Sequence, residues 1–352
     1  MVDINSLVFK LQKLRAPREF VLIVLLVIWT EGLYNIDEAY DWLEFFAGHA
    51  ACTCFARLQG FKGCKFDLKY NSNNRVPPRK SNYMDVNSPS GFVLCIIFLL
   101  KGRAHDFLSW FGIKCSSWTQ MNVGTSSRAA CCSTGDLLMA SVGEANKMLE
   151  RISLLLILTV ALGGVFVLEQ PGGSILEFYP TFRWALGRLI DIHGIDAVSR
   201  VHWSMGAFGG ETAKPQYAYS NSPAIRKLYH FRPTANKVKK VHTKVETCRK
   251  YKNRDGKDCY VGTKHLKDTE IYPDYFASTI SVLIDDLKAA QRGTPEVPDP
   301  VPPALESFQD LNSGKGSDLF EFADLESAFR YLRKGHSLRI PEGWAHHVPK
   351  SI

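Results

Sequence analysis

Residues 42–67 constrain the fold of this chain more than any other segment. Leu43, Phe45 and Phe46 suit a buried parallel strand. Four small residues keep the following turn compact, namely Ala47, Gly48, Ala50 and Ala51. Helix-forming residues 51–59 come next, then a second strand that ends in Asp67. This order is how a doubly wound α/β domain begins: the helix N-terminus favours an anionic group, and the acid favours ribose hydroxyls. A plain strand–turn–helix without a ligand gives the same pattern.

Four blocks follow from the composition along the 352 residues. A proline-rich stretch cannot build a packed element, so it separates the main domain from a tail whose apolar residues predict a helix over 317–334. The predicted blocks are an apolar and basic N-terminal segment (1–40), an α/β domain (41–292) with a basic region (226–267) and a late helix (273–290), a linker (293–304) and a C-terminal tail (305–352).

The net charge of +8 comes from one region. Residues 226–267 contain 14 Lys and Arg against three Asp and Glu, so the remainder of the chain is slightly acidic. Four aromatic residues in this region could stack on bases, namely Tyr229, Phe231, Tyr251 and Tyr260. The region therefore predicts a contact surface for nucleic acid phosphates, with a solvated charged loop as the alternative.

Nine cysteines without a regular framework predict reduced thiols in an intracellular compartment, nuclear or cytoplasmic. A zinc site is conceivable from Cys248, Cys259, His242 and His265. The chain lacks a paired Cys-x-x-Cys motif in this region, so we expect no structural metal.

Two apolar stretches resemble membrane spans. Residues 20–29 follow basic residues but are too short to cross a bilayer, so they predict a buried strand or helix, with a signal anchor as the alternative. Residues 152–168 are divided by Gly163 and Gly164 into a helix and a central strand. We therefore expect no membrane partner.

Two further strand ends carry reactive side chains. Cys115 follows an apolar strand, and Lys114 beside it predicts a larger thiolate fraction. Glu169 ends another apolar strand, so both groups should meet at the carboxyl edge of the sheet. The alternatives are an inert strand-end cysteine and a glutamate that caps the turn at Gly172 and Gly173.

Taken in order, these segments resemble the cytosine-5 DNA methyltransferases, which are S-adenosylmethionine-dependent enzymes of the class I methyltransferase fold. The chain resembles a divergent member of that family. The family motifs Phe-Ala-Gly-x-Gly-Gly, Pro-Cys-Gln-x-Phe-Ser and Glu-Asn-Val are each approximated here, and the order of motifs matches over residues 42–290. The matching segments are Phe46-Ala47-Gly48-His49-Ala50-Ala51, Gly60-Phe61 with Asp67, Met84-Asp85-Val86, Lys114-Cys115-Ser116-Ser117-Trp118-Thr119, Glu169-Gln170-Pro171, Gly206 through Lys214-Pro215 to Ser220-Asn221, and Tyr272-Pro273 with Phe276-Ala277.

The resemblance implies a doubly wound, Rossmann-like sheet that binds S-adenosylmethionine. It implies that Cys115 attacks carbon 6 of a flipped cytosine, that Glu169 holds the ring nitrogen and that Lys214 takes the place of a motif arginine. Residues 226–267 would contact the nucleic acid, DNA in preference to RNA. The cofactor contacts implied are Phe46, Ala47, Gly48, His49, Asp67, Asp85 and Asp106.

Three interpretations remain open from the sequence. Ala50, Ala51, Lys114, Ser116 and Gln170 depart from the family motifs. The first interpretation is a methyltransferase acting on cytosine, the second a degenerate member that binds nucleic acid or cofactor without methyl transfer. The third is a methyltransferase with another substrate. The absence of an Asn/Asp-Pro-Pro-Tyr loop argues against adenine or another exocyclic amine as that substrate.

Overall fold

The computed structural model describes residues 3–30, 39–71, 82–231 and 245–304, apart from 253, 255, 257 and 264. The helix predicted over 317–334 and the rest of the tail 305–352 lie outside the described residues. Eight strands and nine α-helices are assigned within the described ranges. The strands are β1 (Trp42–Phe45), β2 (Gly63–Phe66), β3 (Leu108–Gly112), β4 (Val165–Pro171), β5 (Ser199–Ser204), β6 (Pro215–Ser220), β7 (Cys248–Lys252) and β8 (Asp258–Gly262).

The helices alternate with the strands over most of the chain, as the sequence predicts for an α/β domain. They are α1 (Ile4–Lys13), α2 (Arg18–Thr30), α3 (Ala51–Leu58), α4 (Pro89–Leu100), α5 (Val123–Ser126), α6 (Ala140–Ala161), α7 (Pro180–His193), α8 (His265–Asp268) and α9 (Asp274–Ala289).

Six strands form a mostly parallel central sheet in the order β2-β1-β3-β4-β6-β5. Strands β1 to β4 are parallel, and β6 runs antiparallel to both of its neighbours. The chain moves outward from β1 to β2 and then crosses to β3 on the other side of β1. This reversal of direction opens a crevice outside the carboxyl ends of β1 and β3, the place where open α/β sheets bind ligands.

Apolar side chains cover both faces of the sheet, which explains why its central strands are almost continuously hydrophobic. One face packs against α4, α6 and α7 through a large cluster that includes Phe45 and Phe111, whose rings stack at 4.7 Å. The other face packs against α3 and α9 through Trp42, Trp110 and Phe276. Alternate residues of β1 and β3 therefore point to different halves of the core.

The N-terminal helices belong to the same core. Residues 20–29, predicted to be a buried strand or helix, lie in helix α2, whose apolar residues pack against α4. Helix α1 contacts α6, and Asn5 at its start accepts a 2.9 Å hydrogen bond from the backbone N–H of Ala304. In the part of the chain that the structure describes, no helix combines the length and apolarity needed to cross a bilayer.

The basic region is described in part. Residues 226–231 belong to the 3-10 helix Pro223–Phe231, and residues 232–244 lie outside the described ranges. Strands β7 and β8 then form an antiparallel hairpin apart from the central sheet.

Candidate active site

The turn after β1 lies at the carboxyl edge of the sheet and has an unusual backbone. Phe46, Gly48 and Ala50 have φ of 61°, 53° and 56°, all in the left-handed region. For Phe46 and Ala50 this conformation costs about 1–2 kcal/mol each, and the surrounding contacts must offset it. A Cβ placed on Gly48 would meet no described atom within 4 Å, so a ligand can approach the backbone here. His49 is exposed beside it, and Ala47 donates its N–H to Phe66 at 3.1 Å.

Asp67 fastens this turn to the end of β2. Its Oδ2 accepts the N–H of Gly48 at 2.8 Å, and its Oδ1 accepts the N–H of Lys69 at 2.8 Å. The hydroxyl of Tyr70 donates to the carbonyl oxygen of Gly48 at 3.0 Å. Asp67 is therefore at the predicted place, and it also holds the turn in shape.

Asp85 lies in the loop before α4 and is half-buried. Its Oδ1 accepts the N–H of Asn87 at 2.9 Å. Asn71, which follows β2, donates to the side chain of Asn82 at 3.0 Å, so this loop is tied to the segment after Asp67. Because α4 precedes β3 in a parallel crossover, its N-terminus lies at the same carboxyl edge.

Asp106 is not part of this edge. It precedes β3 and so lies at the amino end of the strand, where it pairs with Lys288 at 3.1 Å. The length of β3 separates it from the loop that carries Cys115. The prediction that Asp106 contacts a cofactor is corrected by this position.

Glu44 is a buried acid that the sequence reading missed. Its Oε2 accepts hydrogen bonds from the N–H and hydroxyl of Thr53 at 2.8 and 2.5 Å, and Trp42 donates to the same hydroxyl at 3.0 Å. Burial raises the pKa of Glu44 to about 7, against the opposing effect of these hydrogen bonds. Its Oε1 is buried without a described partner. The Glu44 carboxyl therefore occupies one N–H group at the start of α3. The only sequence signal for this role is an acid inside an apolar strand.

Cys115 lies half-buried in the loop after β3. Burial raises the pKa of its thiol, Lys214 lowers it, and the negative charges of Glu169 and Glu270 raise it further. Lys114 was expected to favour the thiolate, but its side chain is exposed, and the cation that acts on Cys115 is Lys214.

Glu169 is buried at the end of β4, next to the same lysine. Its Oε2 accepts a 2.8 Å hydrogen bond from the hydroxyl of Tyr272, while Oε1 is buried without a described partner. Burial raises the pKa of Glu169, and Lys214 and the Tyr272 hydroxyl lower it. Lys214 itself donates to the carbonyl oxygen of Thr269 at 2.6 Å. The three predicted catalytic residues, Cys115, Glu169 and Lys214, are therefore brought together.

The loop that carries Cys115 is fastened to the end of β4. Gln170 donates to the carbonyl oxygen of Ile113 at 2.7 Å and accepts from the hydroxyl of Ser174 at 2.9 Å. The N–H of Ile175 donates to the carbonyl oxygen of Trp118 at 3.0 Å. These contacts restrain the loop that carries Lys114 and Cys115.

Arg128 is a buried residue that supports the same loop, and the sequence analysis did not predict this role. The side chain is fully buried, and its Nε and Nη2 donate to the Ser117 hydroxyl at 3.1 and 3.0 Å. The guanidinium stacks 3.7 Å from the ring of Trp118. Its remaining donors reach the carbonyl oxygens of Ser133, Thr134 and Val142. Burial lowers its pKa to about 10.

The β7–β8 hairpin lies close to the loop after Cys115, because the sulfur atoms of Cys248 and Met121 are 3.4 Å apart. Basic and aromatic side chains of the hairpin are exposed on both of its faces, namely Arg249, Lys250, Tyr251, Lys252 and Tyr260. A groove of about 490 Å³ runs along it, lined by Val245, Glu246, Arg249, Val261, Gly262, Thr263 and His265.

Among the described residues, no three His, Cys, Asp or Glu side chains cluster in a way that could hold a metal ion. His242 and the side chain of Cys259, two of the four conceivable zinc ligands, lie outside what the structure describes. Compared with known proteins, the chain matches no protein family, no curated protein and no solved structure.

Proposed function

We propose that this chain transfers a methyl group from S-adenosylmethionine to carbon 5 of cytosine in DNA. The observation that carries the proposal is the convergence of Cys115, Glu169 and Lys214 at the carboxyl edge of the sheet, next to the crevice between β1 and β3. A nucleophile, an acid whose second oxygen is buried without a partner among the described residues, and a cation form the set of groups that such a reaction needs. The sheet supports a class I methyltransferase fold, since that fold also places one reversed strand in a parallel sheet.

The residues at the turn fit the cofactor. The open space above Gly48 admits a ligand close to the backbone, and Phe46 adjoins it. The carboxylates of Asp67 and Asp85 are placed on the same edge to accept hydrogen bonds from ribose and adenine groups. Bound there, S-adenosylmethionine would supply an electrophilic methyl group.

The chain's own residues account for activation of the base. Cys115 releases its thiol proton to solvent, and a bond forms between its Sγ and carbon 6 of cytosine. The π electrons of the carbon 5–carbon 6 bond move to carbon 5, while Glu169 gives a proton to the ring nitrogen. After carbon 5 has gained the methyl group, the hydrogen on carbon 5 leaves to solvent as a proton. The bond from Sγ to carbon 6 then breaks and releases the Cys115 thiolate, and the ring nitrogen returns its proton to Glu169. Lys214 stabilises the thiolate and the ionised Glu169.

The hairpin supports DNA rather than RNA as the substrate. A two-stranded β-ribbon fits the major groove of B-form DNA, whereas the major groove of A-form RNA is too deep and narrow for side chains to read. Lys250 and Lys252 lie on one face of the ribbon, and Arg249 and Tyr251 lie on the other. Both faces could therefore contact phosphates or bases.

A second candidate function is a degenerate member of the fold that binds DNA or cofactor without methyl transfer. The observation in its favour is the raised pKa of Cys115, which leaves less thiolate at neutral pH than an exposed cysteine has.

Trapping separates the two candidates. The full chain is incubated with S-adenosylmethionine and a duplex that contains 5-fluorocytosine, whose fluorine cannot leave carbon 5 as a proton does. We expect a denaturation-resistant adduct that is lost in Cys115→Ser and kept in Cys64→Ser, another half-buried cysteine. If no adduct forms although the cofactor binds, the degenerate function replaces the proposal. Methyl transfer that survives Cys115→Ser would indicate another substrate.

A further inference from the structure

Three side chains form a hydrogen-bond chain whose direction is fixed. The indole Nε1 of Trp110 lies 3.1 Å from the hydroxyl oxygen of Tyr272, and that hydroxyl lies 2.8 Å from Oε2 of Glu169. An indole nitrogen can only donate, so the Tyr272 oxygen is the acceptor of the first bond. The single hydroxyl proton of Tyr272 then points to Glu169, and Oε2 must accept it.

The position of Tyr272 is built into the fold. A Cβ at Gly112 would lie 2.9 Å from the Tyr272 hydroxyl oxygen, so glycine at the end of β3 makes room for it. The Tyr272 ring packs edge-on to Trp110 at 6.2 Å and against Phe276 at 5.2 Å. Burial raises the pKa of Tyr272 well above its usual range, so the hydroxyl keeps its proton and stays a donor.

We infer that Trp110 and Tyr272 determine which oxygen of Glu169 carries the proton, and that this oxygen is Oε1. When Glu169 is neutral, Oε2 is the carbonyl oxygen because it accepts from Tyr272. Oε1 is buried, has no partner in the described part of the chain and is therefore the oxygen that carries the O–H. Tyr272 and Trp110 act as positioning residues through Glu169.

Other titratable groups face Glu169 from the neighbouring elements. Lys214, at the start of β6, lowers its pKa, and Glu169 in turn raises the pKa of Cys115 after β3 and of Cys52 on α3. These groups influence how much of Glu169 is neutral. They do not select between its two oxygens, because among the described residues the Tyr272 hydroxyl alone donates to one of them.

The consequence for the substrate rests on the proposed function. A donor at Oε1 recognises an aromatic ring nitrogen that accepts a hydrogen bond, as nitrogen 3 of cytosine does. Nitrogen 3 of uracil or thymine carries a hydrogen and would face this donor without an acceptor. The Trp110–Tyr272 pair therefore makes neutral Glu169 selective for cytosine over the other pyrimidines.

The proton placement can be measured without any substrate. Infrared spectra of the full chain carrying ¹³C-labelled glutamate, recorded at acidic pH against Glu169→Gln, isolate the carbonyl band of neutral Glu169. We expect this band to move to higher frequency in Tyr272→Phe, because Oε2 loses its donor, and to move less in Trp110→Phe. Tyr275→Phe, an exposed tyrosine two positions into α9, should leave the band unchanged. An unchanged band in Tyr272→Phe, or no neutral Glu169 at any pH at which the protein is folded, overturns the inference.

Adduct formation supplies the second measurement. We expect Tyr272→Phe to form the 5-fluorocytosine adduct about tenfold more slowly, with a changed pH profile, since a hydrogen bond to an ionisable group is lost.

Glu169→Gln should still bind the cytosine duplex, because its carbonyl can accept from Tyr272 while its amide donates at the Oε1 position. Adding Tyr272→Phe to that variant should abolish the preference for cytosine over uracil, and a retained preference overturns the inference. If Tyr272→Phe shifts the infrared band but the wild-type chain forms no adduct, the proposed function is refuted and the proton placement stands.

Discussion

The side-chain amide of Gln170 donates a 2.7 Å hydrogen bond to the carbonyl oxygen of Ile113, which joins the end of β4 to the loop carrying Cys115. The other end of the amide accepts from Ser174, so both polar atoms of this buried side chain are used. Gln170 therefore helps to hold the loop that carries Cys115 against the strand that bears Glu169.

Replacing Gln170 with leucine should destabilise the protein and loosen the loop. The carbonyl of Ile113 would lose its partner, which costs about 1–3 kcal/mol in the free energy of unfolding. Urea denaturation measures this loss, and the rate of Cys115 alkylation by iodoacetamide should increase. Gln59→Leu, at an exposed position after α3, is the control. Unchanged stability and unchanged alkylation in Gln170→Leu would contradict the assigned role.

Arg128→Lys should lower stability by about 2–4 kcal/mol although the charge is kept. A lysine cannot reach Ser117 with two nitrogens or stack on Trp118, and it leaves buried carbonyl oxygens without donors. Thermal unfolding measures the change, and Arg183→Lys, at an exposed position on α7, should shift it by far less. Equal effects of the two substitutions would show that stability does not depend on the guanidinium group of Arg128.

Glu44 should make stability fall with rising pH. Burial raises its pKa to about 7 in the folded protein, and in the unfolded chain a glutamate titrates near pH 4.3. The folded state therefore binds more protons between these two values. The stabilisation is fully present below about pH 4.3 and is lost as pH rises to about 7, by about 4 kcal/mol in total.

The free energy of unfolding of Glu44→Gln, measured at pH 5 and pH 8, should fall less than that of the wild type. Glu150, whose pKa burial also raises to about 7, is the comparison. Glu150→Gln should remove its own separate contribution, and the double variant should show both effects added. A slope in Glu44→Gln that equals the wild-type slope would be incompatible with a buried, titrating Glu44.

The hairpin should contribute phosphate contacts that depend on salt. Each neutralised phosphate adds about 0.9 to the slope of log affinity against log salt concentration, so Lys250→Gln with Lys252→Gln should reduce that slope by about 2. Fluorescence anisotropy with a labelled duplex measures the slope. Lys62→Gln with Lys101→Gln, at the amino edge of the sheet, removes the same charge as a control. Equal slopes for the two double variants would place DNA binding elsewhere.

Local patterns were enough to predict the strand–turn–helix–strand unit at residues 42–67 and the division of residues 152–168 by Gly163 and Gly164, because neighbouring residues decide those elements. Glu44 and Arg128 could not be assigned in the same way. Their partners come from other segments, such as Thr53 for Glu44 and Ser117 for Arg128.

Lys114 and Asp106 were also predicted incorrectly, because their positions depend on the fold and not on neighbouring residues. Lys114 adjoins Cys115 in sequence but faces solvent, whereas Lys214 approaches it only through the fold. Asp106 was grouped with the ligand edge although it lies at the amino end of β3. Which end of a strand a residue occupies depends on where pairing begins, and the apolar pattern alone does not fix that point.

The two hydrogen bonds that Asp67 accepts from Gly48 and Lys69 have a consequence for the entry of a ligand. An ionised carboxylate offers about four lone-pair sites, so a diol can occupy the remaining pair while the turn stays in place. The same carboxylate would then both recognise the ligand and support the turn. A ligand that binds at Asp67 would meet a preorganised turn, because the entropy of ordering this turn is already lost when the chain folds.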